Sequence, residues 1–235
     1  MNIFYSQNIH GKTGILDETE SHHCIKVLRL QTGDEVFLVD GNGSFHKGII
    51  SIPDHRNCTI EILNTKFEFG KRKYRLHIGI APTKNIERFE WFLEKATEIG
   101  IDEITPVLCQ RSERRMIRHE RLEKVITSAM KQSIKAYHPV LNPLTTFDNF
   151  IELHGTGNRL IAHCMEGDRK DLIKMKFNNN DFIVLIGPEG DFSEKEIASA
   201  LFKGFVPVSL GDSRLRTETA GIVTCQVVAD LIATQ

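Results

Sequence analysis

Two short segments in the C-terminal third of the chain combine glycines with charged and hydroxyl side chains. The segment 185–196 reads LIGPEGDFSEKE, and the segment 209–220 reads SLGDSRLRTETA. Each follows a run of apolar residues and leads into a segment with helical spacing. In an open α/β sheet, ligands lie at the carboxyl ends of strands, where such loops occur. The two loops together therefore predict one small-molecule site.

The residue types in these loops suit close contact with a ligand. Gly187 and Gly190 allow positive φ and a close backbone approach, and Pro188 stiffens the turn between them. The second loop places arginines, threonines and a glutamate at 214–219, beside an apolar strand. A purely structural loop needs neither the charges nor the hydroxyls, so the pattern favours a binding site. Thr217 is the predicted N-cap of the last helix.

Composition excludes several classes of protein. The net charge of −1 and the pI of about 6.8 are unlike those of a strongly basic nucleic-acid protein. Basic residues do cluster at 71–75 and 111–121, and such clusters either contact phosphates or form a solvated surface. The five scattered cysteines, with no C-x-x-C pair, predict a reducing, cytoplasmic location. We expect no signal peptide, no membrane span and no metal.

Residues 1–70 are predicted to form a small β-barrel. Strand alternation flanks the turn at 41–43, a further strand is expected at 59–63, and one short helix is expected at 20–30. The adjacent His22, His23 and Cys24 point in different directions on such a helix, so they are poorly placed to chelate one ion.

From residue 71 to 235, strands and helices alternate, which predicts a parallel sheet covered by helices on both faces. The expected strands are 75–81, 104–108, 160–165, 182–186 and 206–210, and the main helical stripes are 86–99, 122–134 and 193–203. The common signatures of a Rossmann dinucleotide site, a P-loop and a hydrolase nucleophile elbow are all missing from the sequence.

The motif set as a whole resembles the RsmE-type ribosomal RNA methyltransferases of the SPOUT superfamily. The similarity extends over nearly the whole chain, through the following matched segments: 22–23, 27–29, 33–34, 94–100, 111–112, 132–133, 187–190 and 215–220. Three features depart from the usual pattern: Asp191 replaces a common glycine, 135–138 lacks an arginine, and the turn at 212–214 differs.

This resemblance implies a PUA-like β-barrel followed by a trefoil-knotted α/β domain, and a homodimer. It implies S-adenosylmethionine as cofactor and N3 of a uridine in 16S ribosomal RNA of the small subunit as the methyl acceptor. The positions that match the family's cofactor loops are Ile186, Gly187, Pro188, Gly190, Leu210, Gly211, Leu215 and Thr217, with His163 and Cys164 as further candidates.

The chemistry of such a transfer assigns roles to three more residues. Arg216 is expected to stabilise the negative charge that develops on the uracil oxygens, although an ion pair with Glu218 is the structural alternative. Either Glu189 or Glu218 is expected to accept the N3 proton. Two other functions stay open at this point, a methyltransferase of this fold acting elsewhere on RNA and an RNA-binding protein without catalysis.

Overall fold

A computed structural model describes residues 1–152, 157–165 and 167–234. Contacts divide the chain into two compact units. The small unit comprises 1–71 together with 127–138, and the large unit comprises 72–126 together with 139 onward. The division at 71/72 lies beside the change in composition at 70–73.

The small unit is built on a six-stranded, mostly antiparallel sheet. Its elements in chain order are β1 (Ile3–Tyr5), β2 (Ile9–His10), β3 (Thr13–Ile15), α1 (Glu18–His22), a π-helical turn (His23–Val27), β4 (Glu35–Val39), β5 (Phe45–Ile52) and β6 (Thr59–Lys66). The strand order is β1-β4-β5-β6-β3-β2. The predicted hairpin around 41–43 is confirmed, since β4 and β5 pair antiparallel.

The large unit alternates strands and helices. Its elements in chain order are β7 (Arg75–Ile80), α2 (Ile86–Ile99), β8 (Glu103–Leu108), α3 (His119–Gln132), β9 (Val140–Leu141), β10 (Thr145–Thr146), α4 (Phe147–Ile151), β11 (Asn158–Ala162), β12 (Lys170–Asp171), β13 (Asp181–Ile186), α5 (Glu194–Phe202), β14 (Val206–Ser209) and α6 (Thr217–Ala233). Helix α3 continues into the small unit beyond Ile126.

The sheet of the large unit is parallel, in the order β10-β8-β7-β13-β11-β14-β12, with β9 also on β8. Strand β13 lies at its centre and is buried from Phe182 to Ile186, as its continuous apolar sequence requires. One face packs against α2 and α6, and the other packs against α4 and α5. The predicted α/β fold with helices on both faces is confirmed.

The ends of α5 and α6 show where local sequence signals hold and where they do not. Ser193 and Glu196 form the predicted capping box, and Gly204, with φ +82°, lies just beyond the end of α5. The N-cap of α6 is instead Arg216, without a side-chain cap bond, so the assignment of Thr217 as N-cap is wrong. The Thr217 hydroxyl is engaged elsewhere, as described below.

Candidate functional site

A cavity of about 270 Å³ lies at the carboxyl ends of three adjacent strands, β11, β13 and β14. Its volume is close to the lower end of the roughly 300–1,000 Å³ that small-molecule sites occupy. Its apolar side chains include Ile186, Val208 and Leu215, and the loops that follow the strands supply polar backbone. Both glycine loops thus reach the same edge of the sheet, and we call this space the strand-end pocket.

The first loop follows β13 and is held in a tight turn. The N–H of Asp191 donates to the carbonyl of Pro188 (2.9 Å), and Asp191 takes φ +60°. Gly187 lies so close to the buried Phe192 ring that an added Cβ would be 3.0 Å from it. The Gly190 carbonyl accepts a hydrogen bond from Arg111 (2.9 Å). Backbone groups of this loop are therefore fixed by neighbours on two sides.

Asp191 also connects this loop to the end of β11. One carboxylate oxygen accepts the N–H of Cys164 (2.8 Å) and the other accepts the N–H of Phe192 (2.8 Å). In sequence, Asp191 was noticeable only as a departure from a common glycine. Its positive φ explains why glycine suits this position, and its two hydrogen bonds explain what aspartate adds.

The second loop follows β14 and is tied to the first by Thr217. The Thr217 hydroxyl donates to the carbonyl of Gly187 at 3.0 Å, and the bond is buried. Gly211 adopts φ +121°, which a residue with a Cβ rarely takes, and its N–H donates to the Ser209 hydroxyl (3.3 Å). The start of α6 is thereby positioned against the first loop.

His163 brings a neutral imidazole to the pocket wall. Burial lowers the pKa of His163 below its ordinary value of 6.5, so the ring is uncharged at pH 7. Its Nδ1 is buried without a hydrogen-bond partner among the residues that the structure describes. The backbone carbonyl of His163 accepts from Arg169 (2.6 Å).

Most of the residues predicted from sequence line the strand-end pocket together. They are His163, Cys164, Ile186, Gly187, Pro188, Glu189, Leu210, Gly211, Leu215, Arg216 and Thr217. Gly190 does not line it and packs against Arg111 instead. Glu218 lies outside it too, in a second cavity that also borders Arg214, Leu215 and Arg216.

Sequence reasoning missed several further lining residues. These are Ala162, Arg169, Asp191, Val208, Ser209, Ser213, Arg214 and Ala220. Most of them sit next to residues that were predicted, so the local pattern already pointed to their loops. Arg169 is different, because it follows a segment without helical or strand periodicity, and only the fold brings it to the pocket.

The three predicted catalytic residues have contrasting surroundings. Arg216 is exposed, and its side chain makes no hydrogen bond or ion pair within the described ranges, so the structural ion pair with Glu218 does not form. Glu218 is buried and faces Arg88, with Oε1 3.9 Å from Nε. Glu189 is exposed, and its Oε1 accepts the backbone N–H of Lys84 (2.9 Å).

The arginines of 111–121 divide into two groups. Arg111 and Arg114 donate to backbone carbonyls, at Gly190 and Phe192 and at Thr83 and Lys84 respectively, and Arg121 pairs with Glu90. Arg115 and Arg118 are exposed, and no side-chain partner is found for them in the described part of the chain. Arg111 thus fixes the first loop of the pocket, Arg114 fixes the backbone at 83–84, and Arg121 links α3 to α2, whereas the second group is free to meet a partner.

No group of three potential metal ligands occurs among residues 1–152, 157–165 and 167–234. Over the same residues, no helix is long and apolar enough to cross a membrane.

Comparison with known proteins identifies the family. The model of the RNA methyltransferase domain matches residues 70–229, and that of the RNA methyltransferase PUA domain matches residues 16–63. This chain belongs to the RNA methyltransferase family. The matched ranges include every residue of the strand-end pocket, and the small unit carries the PUA match.

Several relatives in this family resemble the chain over nearly its full length. A crystal structure from Porphyromonas gingivalis, described as a probable rRNA methyltransferase, is 42% identical, with a TM-score of 0.90 over 100% of this chain and 99% of that one. A Legionella pneumophila protein described as a methyltransferase was solved with bound S-adenosylmethionine. It is 26% identical, with a TM-score of 0.86 over 96% of both chains. The ribosomal RNA small subunit methyltransferase E of Synechocystis is 28% identical over 96% of this chain and 76% of its own length.

Proposed function

We propose that this protein methylates N3 of a uridine in the 16S ribosomal RNA of the small subunit, with S-adenosylmethionine as methyl donor. The strand-end pocket carries the proposal, because its residues come from the two motif loops and its rim carries the unpaired Arg216. The relatives named as small-subunit ribosomal RNA methyltransferases support the choice of substrate.

The lining of the strand-end pocket suits this cofactor. Apolar side chains at Ile186, Val208 and Leu215 fit an adenine ring, and backbone groups of the two loops can recognise its polar edge. The imidazole of His163 adds a polar side chain to the lining. When bound, the cofactor supplies an electrophilic methyl group on a sulfonium centre.

The residues at the rim have the properties that methyl acceptance by uridine requires. N3 loses its proton to a carboxylate as the N3–C bond forms and the C–S bond breaks, leaving a neutral thioether. Arg216 stabilises the negative charge that the uracil oxygens take up. Glu189 and Glu218 are the two proton acceptors expected from sequence. Each borders one of the cavities, as Asp191 and Glu87 also do.

The reaction is tested with small ribosomal subunits from cells that lack this gene. The purified protein with labelled cofactor should transfer one methyl group to a uridine N3, located by mass mapping of the RNA. A methyl group on ribose or on a base carbon contradicts the proposed reaction. Transfer to transfer RNA alone supports the alternative RNA target, and RNA binding without cofactor binding supports a non-catalytic role.

Replacement of Arg216 tests the mechanism. Arg216→Ala should lower the single-turnover methyl-transfer rate about a hundredfold or more, as loss of one electrostatic donor typically does, while cofactor affinity changes little. Arg216→Lys keeps a positive charge at the rim and should recover part of the rate. A wild-type rate in Arg216→Ala would remove this side chain from the mechanism.

We further propose that the protein works as a homodimer in the cytoplasm, with 1–70 as the RNA-binding domain and 71–235 as the methyltransferase domain. The closed twofold dimer is the commonest soluble oligomer. Light scattering at micromolar concentration should give twice the chain mass of 26.7 kDa. A monomer mass under these conditions would contradict the dimer.

A further inference from the structure

The second cavity, of about 600 Å³, opens beside the strand-end pocket and shares its wall. Arg214, Leu215 and Arg216 line both spaces. The opposite side of the second cavity is formed by the first turns of α2, with Arg88 and Trp91. We call this space the α2 cavity.

A buried carboxylate borders the α2 cavity. The Glu218 side chain is 7% exposed, and its Oε2 has no hydrogen-bond partner in the described part of the chain. Arg88, at 3.9 Å from Oε1, is too far for a hydrogen bond. A buried carboxylate without a close partner is costly, and its position in the first turn of α6 offsets only part of that cost. Such a group is typical of a site that a ligand completes.

An aromatic surface stands beside this carboxylate. Trp91 is 45% exposed, and it lies three residues after Arg88 on α2, so both side chains share one face of the helix. Proteins that bind unstacked nucleotides commonly stack the base on an exposed aromatic ring, with arginines near its polar edges. The α2 cavity contains an exposed aromatic ring, arginines and the carboxylate of Glu218 as a hydrogen-bond acceptor.

We propose that the α2 cavity holds the target base, flipped out of its RNA, with Trp91 as stacking platform and Glu218 as the carboxylate that binds and removes the N3 proton. This assignment rests on the proposed function and selects between the two candidate bases. Glu189 is exposed, and the N–H of Lys84 already occupies its Oε1. Glu218 borders the cavity, and its buried Oε2 has no hydrogen-bond partner among the described residues.

The same geometry makes the cavity selective for uracil over cytosine. Uracil presents an N3–H donor between two carbonyl oxygens, which matches a carboxylate acceptor flanked by arginines. Cytosine presents an acceptor at N3, which a carboxylate repels. Arg88 acts as a positioning residue, because its guanidinium is the charged group that faces the Glu218 carboxylate.

The protein contains one tryptophan, so fluorescence reports directly on this cavity. With S-adenosylhomocysteine present, pentauridylate should quench Trp91 emission, and pentacytidylate should do so at least tenfold less tightly. The fluorescence arm needs no methyl transfer, so its result is independent of whether the proposed reaction is correct. Unchanged emission up to millimolar pentauridylate overturns the assignment.

Kinetics on small subunits separate binding from chemistry. Trp91→Ala should raise the KM for RNA about tenfold or more, since base stacking on one aromatic ring is worth that much, and should leave the KM for cofactor unchanged. Trp91→Phe should recover most of the RNA affinity. Phe202→Ala is the matched control, because Phe202 is an exposed aromatic ring outside both cavities. A wild-type KM and kcat in Trp91→Ala overturn the assignment.

The role of Glu218 is tested by Glu218→Gln, which should lower kcat at least a hundredfold while pentauridylate still quenches Trp91. Arg88→Ala should lower kcat with little change in the KM for RNA, and Arg88→Lys should restore it. Full activity of Glu218→Gln overturns the choice of base. If Trp91→Ala instead converts a dimer into a monomer in light scattering, a second copy covers this face and the base-binding assignment fails.

Discussion

At the scale of single residues, Asp191 holds the first loop of the strand-end pocket against the end of β11. Its carboxylate accepts the N–H groups of Cys164 and Phe192, both at 2.8 Å, while its own backbone takes φ +60°. A residue with a Cβ in this region is strained by about 1 kcal/mol or more. The two hydrogen bonds compensate for that strain, each contributing on the order of 1 kcal/mol.

Substitution at Asp191 should separate strain from hydrogen bonding. Asp191→Gly loses both bonds but relieves the strain, and Asp191→Ala loses both bonds and keeps the strain. We expect Asp191→Ala to have the lower free energy of unfolding, by about 1 kcal/mol relative to Asp191→Gly. Both should weaken cofactor binding about tenfold, because the loop at Cys164 is released. Urea unfolding and calorimetry measure these effects, and Asp191→Asn, which keeps an acceptor, is the control.

Wild-type cofactor affinity in Asp191→Gly would show that the bond to Cys164 does not position the pocket.

At this scale the sequence predicted most of the lining, because Gly187, Pro188, Gly211 and Thr217 belong to recognisable motif loops. It did not predict the Asp191 bonds, since they depend on the positive φ of Asp191 and, for one of them, on Cys164, 27 residues away in the chain.

At the scale of elements, helix α6 reaches the pocket because it packs closely on α2. Gly221 lies in the buried face of α6, and a Cβ added there would be 2.5 Å from the ring of Phe92, which is fully buried. Close packing at this point fixes the first turn of α6, where Thr217 bonds to the Gly187 carbonyl and Glu218 faces the α2 cavity.

Gly221→Ala should destabilise the protein although alanine is the better helix former. The gain in helix propensity is about 1 kcal/mol, whereas overpacking a buried contact typically costs about 1–3 kcal/mol. The shift of α6 should also weaken cofactor binding through Thr217. Thermal unfolding and calorimetry provide the measurements, with exposed Gln226→Ala on the same helix as control. A Gly221→Ala protein with raised Tm and unchanged cofactor affinity would contradict this account.

The long elements were predictable because their apolar periodicity is strong, as in α2, whose predicted and observed bounds are both 86–99. The short helix α4 was not, since its burial depends on contacts with the sheet and its five residues show little periodicity. The hydroxyl of Thr217 had two possible uses, and only the fold decides that it bonds to the other loop instead of capping its own helix.

At the scale of the whole molecule, the near-zero net charge conceals an uneven distribution of free positive charge. Arg111, Arg114 and Arg121 are bound by protein groups, but Arg115 and Arg118 are exposed and have no side-chain partner in the described ranges. A cluster that looks uniform in sequence is therefore divided in the structure into bound and free arginines, and the contacts that divide it cannot be predicted from composition. The trefoil knot likewise stays a prediction from family resemblance, because periodicity does not encode how the chain is threaded.

The free arginines should contribute to RNA binding through their phosphate contacts. Each such contact adds about 0.7–0.9 to the slope of log affinity against log salt concentration, because bound counterions are released. The double variant Arg115→Gln/Arg118→Gln should thus reduce the slope by roughly 1.5 and weaken RNA binding at low salt, with cofactor affinity unchanged. Arg121→Gln is the control, since Arg121 is paired with Glu90 and should leave the slope nearly unaltered. Anisotropy titrations at several salt concentrations give these slopes. An unchanged slope in the double variant would place the RNA backbone on another surface of the protein.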